Sequence, residues 1–233
     1  MQTFTVTITE ISDETHDTRS FTTDRPEGFD FSPGQYCLFW LDSFSRPRPF
    51  TIASTPDEHY LNFTIKKIGE FTTAMFELKT GDSLKITSPR DSKLSIRKPP
   101  TNPIVLIAGG SGITPFYPII SSFSSRSDIT LLYSNRTDND IIFKEQLNQL
   151  AQENDSFHLQ FFVTHQDNTQ FTAKRIDKKD LKKVQKKDTQ WYVCGPPSMT
   201  KAIHDSLLEI GVSEEKIHKE TWELPGKHEK DDE

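Results

Sequence analysis

The chain has 233 residues, a net charge of −6, two cysteines and seven scattered histidines. That length suits one large or two small domains, and the acidic balance argues against a general nucleic-acid binder. Cys37 and Cys194 lie too far apart in sequence for a disulfide framework and are too few for an iron–sulfur cluster; no metal site and no membrane span are expected.

In chain order, Phe4–Ile11 alternates, with Phe4, Val6 and Ile8 on one face, as a half-buried strand does. The opening Met1–Glu10 lacks a basic start with an apolar core, so it reads as this strand rather than a signal peptide, and the expected location is the cytoplasm. Gln35–Leu41 is an aromatic and apolar strand after the turn Ser32-Pro33-Gly34. Tyr60–Ile65 alternates again, and Leu84–Thr87 follows the turn at Gly81. One helix, near Thr72–Leu78, interrupts the strands. Short strands with such turn signals suggest an antiparallel barrel.

Lys98-Pro99-Pro100-Thr101-Asn102-Pro103 then forms a connector. Beyond it the texture changes. Ile104–Ala108, Ile129–Tyr133, Leu159–Thr164 and Trp191–Cys194 read as strands. Helical stretches follow the first glycine-rich turn and lie near Ile141–Gln152, Lys178–Lys187 and Pro197–Ile210. Continuous apolar strands alternating with helices mean βαβ units around a parallel sheet. Residues 226–233 form a charged tail expected to be mobile.

Five segments carry candidate chemistry. Gly109-Gly110-Ser111-Gly112-Ile113-Thr114-Pro115 follows the first buried strand and opens a helix. Glycines admit a phosphate, and a helix N-terminus supplies amide donors; a plain tight turn fits these residues too. The next strand ends at Ser134 and Arg136, with no acid for ribose hydroxyls. That pair suits a 2′-phosphate, with Lys144 as a possible helper, or is a solvated turn. Cys194-Gly195-Pro196-Pro197 closes another strand at the end where parallel sheets bind ligands. In the first half, Arg48-Pro49-Phe50-Thr51 joins a cation, a ring and a hydroxyl, and Gly69-Glu70-Phe71-Thr72-Thr73 begins the lone helix. Read alone, both are ordinary barrel features.

Taken in order, with Pro33-Gly34-Gln35 ahead of them, these segments resemble the ferredoxin–NADP+ reductase superfamily of flavin reductase modules. The resemblance runs from about Pro33 to Trp222. It implies a two-domain fold: an antiparallel six-stranded β-barrel with one short helix over residues 1–98, holding FAD rather than FMN, then an α/β Rossmann-like parallel sheet over residues 99–225, holding NAD(P)H. Arg48 would meet the FAD diphosphate, and Pro49 beside it would belong to the FAD site. Phe50 stands where a Tyr often packs on the flavin, and Thr51 where a hydroxyl donates to flavin N5. Ile65, Lys66 and Lys67 match a strand lining the flavin, and Gly69, Thr72 and Thr73 a second diphosphate clamp. Gly110, Thr114 and Pro115 match the dinucleotide loop, with Gly195 and Pro196 facing it. Cys194 takes the place beside the nicotinamide, and Glu220 and Trp222 match a C-terminal acid and flavin-capping aromatic, although the ring here is Trp and the chain continues past it.

The implied activity is hydride transfer from NAD(P)H, NADPH in preference to NADH, to FAD. Thr51, Cys194 and Glu220 would carry the chemistry. Two cysteines cannot hold a fused [2Fe–2S] cluster, so electrons are expected to pass to a separate acceptor: a ferredoxin-like or other iron–sulfur protein, an oxygenase component, or a small acceptor. The alternative is an electron-transfer subunit of a larger complex with little activity alone. A monomer is expected. Lys174–Lys187, with eight basic residues, reads as a solvated face or as a dock for an acidic carrier.

Overall fold

The computed structural model describes residues 2–221. The first sheet is antiparallel and holds β1 (Thr3–Thr15), β2 (Thr18–Asp24), β3 (Tyr36–Trp40), β4 (Arg48–Thr51), β5 (Tyr60–Lys66) and β6 (Ser83–Thr87), in the order β4-β3-β6-β1-β2-β5. The two edges meet just past β4, where the Ala53 N–H donates to the Asn62 carbonyl at 2.7 Å. This closes the expected six-stranded barrel. Phenylalanines fill it: Phe39 stands edge-on to Phe50 and to Phe63, with centroids 5.1 and 4.6 Å apart.

Two elements differ from the sequence expectation for physical reasons. β2, Thr-Arg-Ser-Phe-Thr-Thr-Asp, carries one large apolar residue, yet Thr18, Ser20, Phe21 and Thr23 are buried. Its hydroxyls find cross-strand partners, Ser20 meeting Thr64 at 2.7 Å and Glu14 at 2.6 Å. Small polar residues are therefore tolerated inside. The helix α1 spans Glu70–Met75, two residues earlier than Thr72. The Thr72 hydroxyl reaches back to accept from the amides of Ile68 and Gly69, at 2.8 and 3.0 Å, and fixes that earlier start.

The second sheet is wholly parallel: β7 (Ile104–Gly109), β8 (Ile129–Asn135), β9 (Phe157–Val163), β10 (Thr172–Ala173), β11 (Gln190–Gly195) and β12 (Ile217–Thr221), in the order β10-β9-β8-β7-β11-β12. Helices α2 (Phe116–Phe123), α3 (Lys144–Glu153), α4 (Lys178–Val184) and α5 (Pro197–Glu209) cover its faces. Trp191, Val193, Ile203 and Leu207 form one core, while Ala108, Ile113, Phe116, Tyr133 and Cys194 form the other. The second core takes in Ala53, Leu94 and Ile96 from the barrel side, so the two halves share packed apolar surface. Among the described residues no helix is long and apolar enough to cross a membrane.

Three further corrections concern elements of this half. The glycine segment does not open a helix directly; Gly110–Ile113 is a 3-10 turn, and α2 begins only at Phe116. α4 ends at Val184, three residues short of the basic run's last lysine. Strand β12, absent from the sequence reading, pairs with β11 although only Ile217 in it is apolar. An edge strand gains its place from backbone pairing, not from pattern.

Candidate functional site

In the parallel sheet the chain runs outward from β7 through β8, β9 and β10, then returns to the other side of β7 as β11. The reversal lies between β7 and its two neighbours, and the crevice at the carboxyl ends of those strands is where such sheets take ligands. Both the glycine turn after β7 and the Cys194-Gly195-Pro196 turn after β11 sit there. They are packed backbone to backbone: a Cβ at Gly112 would lie 2.2 Å from the Cys194 carbonyl oxygen. Gly110 has φ +53°, and the space where its Cβ would stand is open. Thr114 is buried, and its hydroxyl donates to the Ser111 carbonyl at 3.1 Å within the turn. Pro115 is also buried, and Pro196 is exposed.

Cys194 and Glu220 are register partners on neighbouring parallel strands, so their side chains emerge on the same face. Glu220 Oε1 accepts from the Lys93 backbone N–H at 2.8 Å, which ties the end of β12 to the segment leaving the barrel. Cys194 shares its core with Ala53, two residues beyond Thr51. Thr51 itself is 7% exposed, and its hydroxyl has no hydrogen-bond partner among the described residues. The fold thus pairs Cys194 with Glu220, and the core that holds Cys194 takes in Ala53 from the barrel. One step back along the same pair of strands, Tyr192 stacks on His218, centroids 4.6 Å apart. Burial pushes the His218 imidazole below its usual pKa, so the ring is neutral at physiological pH. Neither residue carried a sequence signal, because the parallel register that stacks them exists only once β12 is in place.

On the barrel, Arg48 and Phe50 project towards Phe71 in the first turn of α1: the Arg48 guanidinium carbon is 6.0 Å from the Phe71 ring centroid and the Phe50 centroid 5.9 Å away. Pro49 between them is exposed. Arg48 is half-buried, and its only bond among the described residues is a 3.4 Å contact to the Pro47 carbonyl. A half-buried guanidinium without an acid beside the free amides of a helix N-terminus favours an anionic ligand. Thr72 is engaged in capping α1, and Thr73 is exposed. Ile65 lies inside the barrel; Lys66 turns to Asp17 at 2.9 Å, and the Lys67 ammonium lies over the Phe76 ring.

At the end of β8, Ser134 is half-buried and Arg136 is exposed, with no ion pair among the described residues. Lys144 is engaged over the Phe171 ring, 5.2 Å from its centroid. In the basic run, Lys174 pairs with Asp177 and Asp180, Lys178 with Glu209 and Lys186 with Asp128. Trp222 and the tail 226–233 lie outside the described residues.

Residues 2–104 match a family model described as an FAD-binding domain, and residues 106–205 match the oxidoreductase NAD-binding domain. The NADH-cytochrome b5 reductase 2-B of Vanderwaltozyma polyspora is 30% identical over 220 residues, covering 84% of this chain and 71% of that protein. The chain belongs to the ferredoxin–NADP+ reductase superfamily. A probable dihydroorotate dehydrogenase B electron transfer subunit of Thermococcus kodakarensis is 30% identical over 85% of this chain and 77% of its own length. NADH-cytochrome b5 reductase 2 of Mycosarcoma maydis is 34% identical over 67% of this chain, which spans about half of that protein (48%). In fold, the superfamily likeness extends to the flavohem-like FAD/NAD binding domain of a nitric oxide dioxygenase from Vibrio cholerae, with TM-score 0.84 at 21% identity over 94% of this chain and 98% of the other. FAD and NAD(P) are the groups these two halves hold. The donor set fits them: a guanidinium with no acid among the described residues beside a helix end in the barrel, and an open glycine turn at the switch point of the sheet.

Proposed function

We propose that the chain takes hydride from NAD(P)H, with NADPH preferred over NADH, and passes the electrons through FAD to a separate acceptor. The observation that carries this reading is the pairing of Cys194 with Glu220 on adjacent strands, beside the glycine turn and in one core with Ala53 of the barrel. Bound FAD supplies acceptance of a hydride from the nicotinamide and its release as single electrons.

The protein's part is binding, orientation and exclusion of water. Arg48 and the first turn of α1, opened by Gly69, hold the diphosphate of FAD, with Thr73 at the rim. Phe50 presents a ring to the flavin without a hydroxyl. Thr51 has a free hydroxyl to donate towards the flavin ring, and the backbone of Ile65, Lys66 and Lys67 closes the other side. Trp222, two residues beyond Glu220, is the proposed cap. Gly110, Thr114, Pro115, Gly195 and Pro196 shape the dinucleotide pocket, and Cys194 and Glu220 set the nicotinamide and hold a proton near it. Such positioning brings donor and acceptor atoms to about 3–3.5 Å, where most of the rate gain lies.

The exposed Arg136, without an ion pair among the described residues and close in sequence to Ser134, supports NADPH, because a guanidinium binds a 2′-phosphate bidentately. Stopped-flow flavin reduction with each nucleotide tests this: Arg136→Ala should weaken NADPH about tenfold or more and leave NADH nearly unchanged. Equal loss with both would end the preference. The likeness to a protein named as an electron transfer subunit favours a second reading, in which the chain works only within a complex. Ferricyanide turnover by the isolated chain would speak against it.

A further inference from the structure

The buried Tyr133 on β8 has a hydroxyl that the reading above does not use. Its ring lies in the core between β8 and the helices, where a phenylalanine would fill the same space. Besides an interaction with the Asn135 side chain on its own strand, the hydroxyl makes two bonds that leave the sheet. It donates to the Gly110 carbonyl at 2.9 Å and accepts from the Ile142 backbone N–H at 3.3 Å. One partner is the open glycine of the nucleotide turn, in the left-handed region at φ +53°. The other belongs to the loop between β8 and α3.

That loop is itself anchored. Asp140 Oδ2 accepts from the Thr137 amide at 2.9 Å and from its hydroxyl at 2.8 Å. Phe143, the next residue after Ile142, is held at φ 58°, a costly conformation for a bulky side chain. The β1–β2 hairpin of the barrel reaches the same place: His16 Nδ1 is 3.5 Å from Asp140 Oδ1, and the Phe143 amide faces the Glu14 carboxylate. One end of the Tyr133 hydroxyl is therefore fixed by a strained, doubly anchored loop. The other end is the glycine that opens the 3-10 turn Gly110–Ile113, with open space where its Cβ would stand.

We propose that the Tyr133 hydroxyl is a positioning group for nucleotide binding, holding the Gly110 peptide in the orientation that receives the dinucleotide. This rests on the reading of Gly110–Thr114 as the NAD(P) turn. Without the hydroxyl, the Gly110 carbonyl keeps only the bonding of its own 3-10 turn, the peptide is less tightly oriented, and binding must first restore the competent orientation. The fraction of competent molecules scales the apparent affinity for any nucleotide using the turn.

The test is Tyr133→Phe in the FAD-loaded protein, with NAD+ and NADP+ binding measured by calorimetry alongside steady-state kinetics. The expected result is Kd raised about tenfold for both nucleotides, as loss of one well-placed bond implies, with FAD content, visible spectrum and kcat at saturation unchanged. Unchanged Kd overturns the proposal, as does a loss confined to kcat or FAD content. Should the variant fail to fold, hydrogen exchange in the wild-type protein decides: NAD+ should slow the Ile142 amide together with those of Ser111–Ile113, and an Ile142 amide indifferent to NAD+ refutes the link. Wild-type flavin that neither nucleotide reduces would sink the functional reading instead, while the calorimetry still reports on Tyr133.

Discussion

The two halves of the molecule assemble their ligand groups by opposite means. In the parallel sheet every strand delivers its carboxyl end to one edge, so the residues after β7, β8 and β11 are gathered by topology alone. In the barrel, neighbouring strands run in opposite directions and no edge is shared. Arg48 and Phe71, more than twenty positions apart, meet only because the sheet curls until Ala53 bonds Asn62. A parallel sheet makes its site wherever its strands stop, whereas an antiparallel barrel makes one only on closing.

If that contrast holds, damage on one side should spare the other. The largest effect is expected at Gly112, where a methyl group would collide with the Cys194 carbonyl and force the two turns apart. Gly112→Ala should slow flavin reduction by NAD(P)H on the order of a hundredfold, since a shift near 1 Å is enough for that. FAD content, read from the visible spectrum, should be normal; normal reduction kinetics would show that the turns are not held by contact. Next in size is Arg48→Ala. Loss of a charge-assisted contact to the diphosphate should raise the FAD Kd about thirtyfold or more, by fluorescence titration of the apoprotein. NAD+ binding to the other half should persist, and its simultaneous loss would mean that the halves do not bind separately.

The smallest effect concerns the hairpin where the halves touch. Burial raises the Glu14 pKa, with the Ser20 hydroxyl and Phe143 amide opposing it only in part. A folded-state pKa above the unfolded one means the carboxyl favours folding at low pH, and that contribution is lost as pH rises through the folded value. Glutamine stays neutral throughout. Glu14→Gln should therefore melt a few degrees at most above wild type near pH 8, with the gap closing towards about pH 4, by scanning calorimetry. A gap that widens on acidification would reverse the sign of the burial argument.

The sequence made the second half far more legible than the first. Ile104–Ala108 and Trp191–Cys194 are apolar throughout and Ile129–Tyr133 is so but for Thr130, and glycine or proline follows two of them, so strand, turn and ligand edge could be read locally. What stayed hidden there was β12, because Ile217–Thr221 is mostly polar and earns its strand by pairing with β11. In the barrel, β2 has a single large apolar residue, Phe21, and its other buried side chains are hydroxyls: Ser20 bonds Glu14 and Thr64 across strands, while Thr18 and Thr23 bond the neighbouring Asp17 and Asp24. Arg48, Phe50 and Thr51 pointed to a flavin only through the family resemblance.

By itself, the sequence determined the periodicities, the glycine and proline turns, and the residue types able to meet phosphates and a nicotinamide, since these are properties of short stretches of chain. The tertiary structure alone decided which of them meet. It set Cys194 beside Glu220, brought Ala53 into the second core, hung the Gly110 carbonyl on Tyr133 and left Arg48 without an acid among the described residues. Register, closure and burial are long-range quantities: each depends on where a distant segment comes to rest, and no local pattern encodes that.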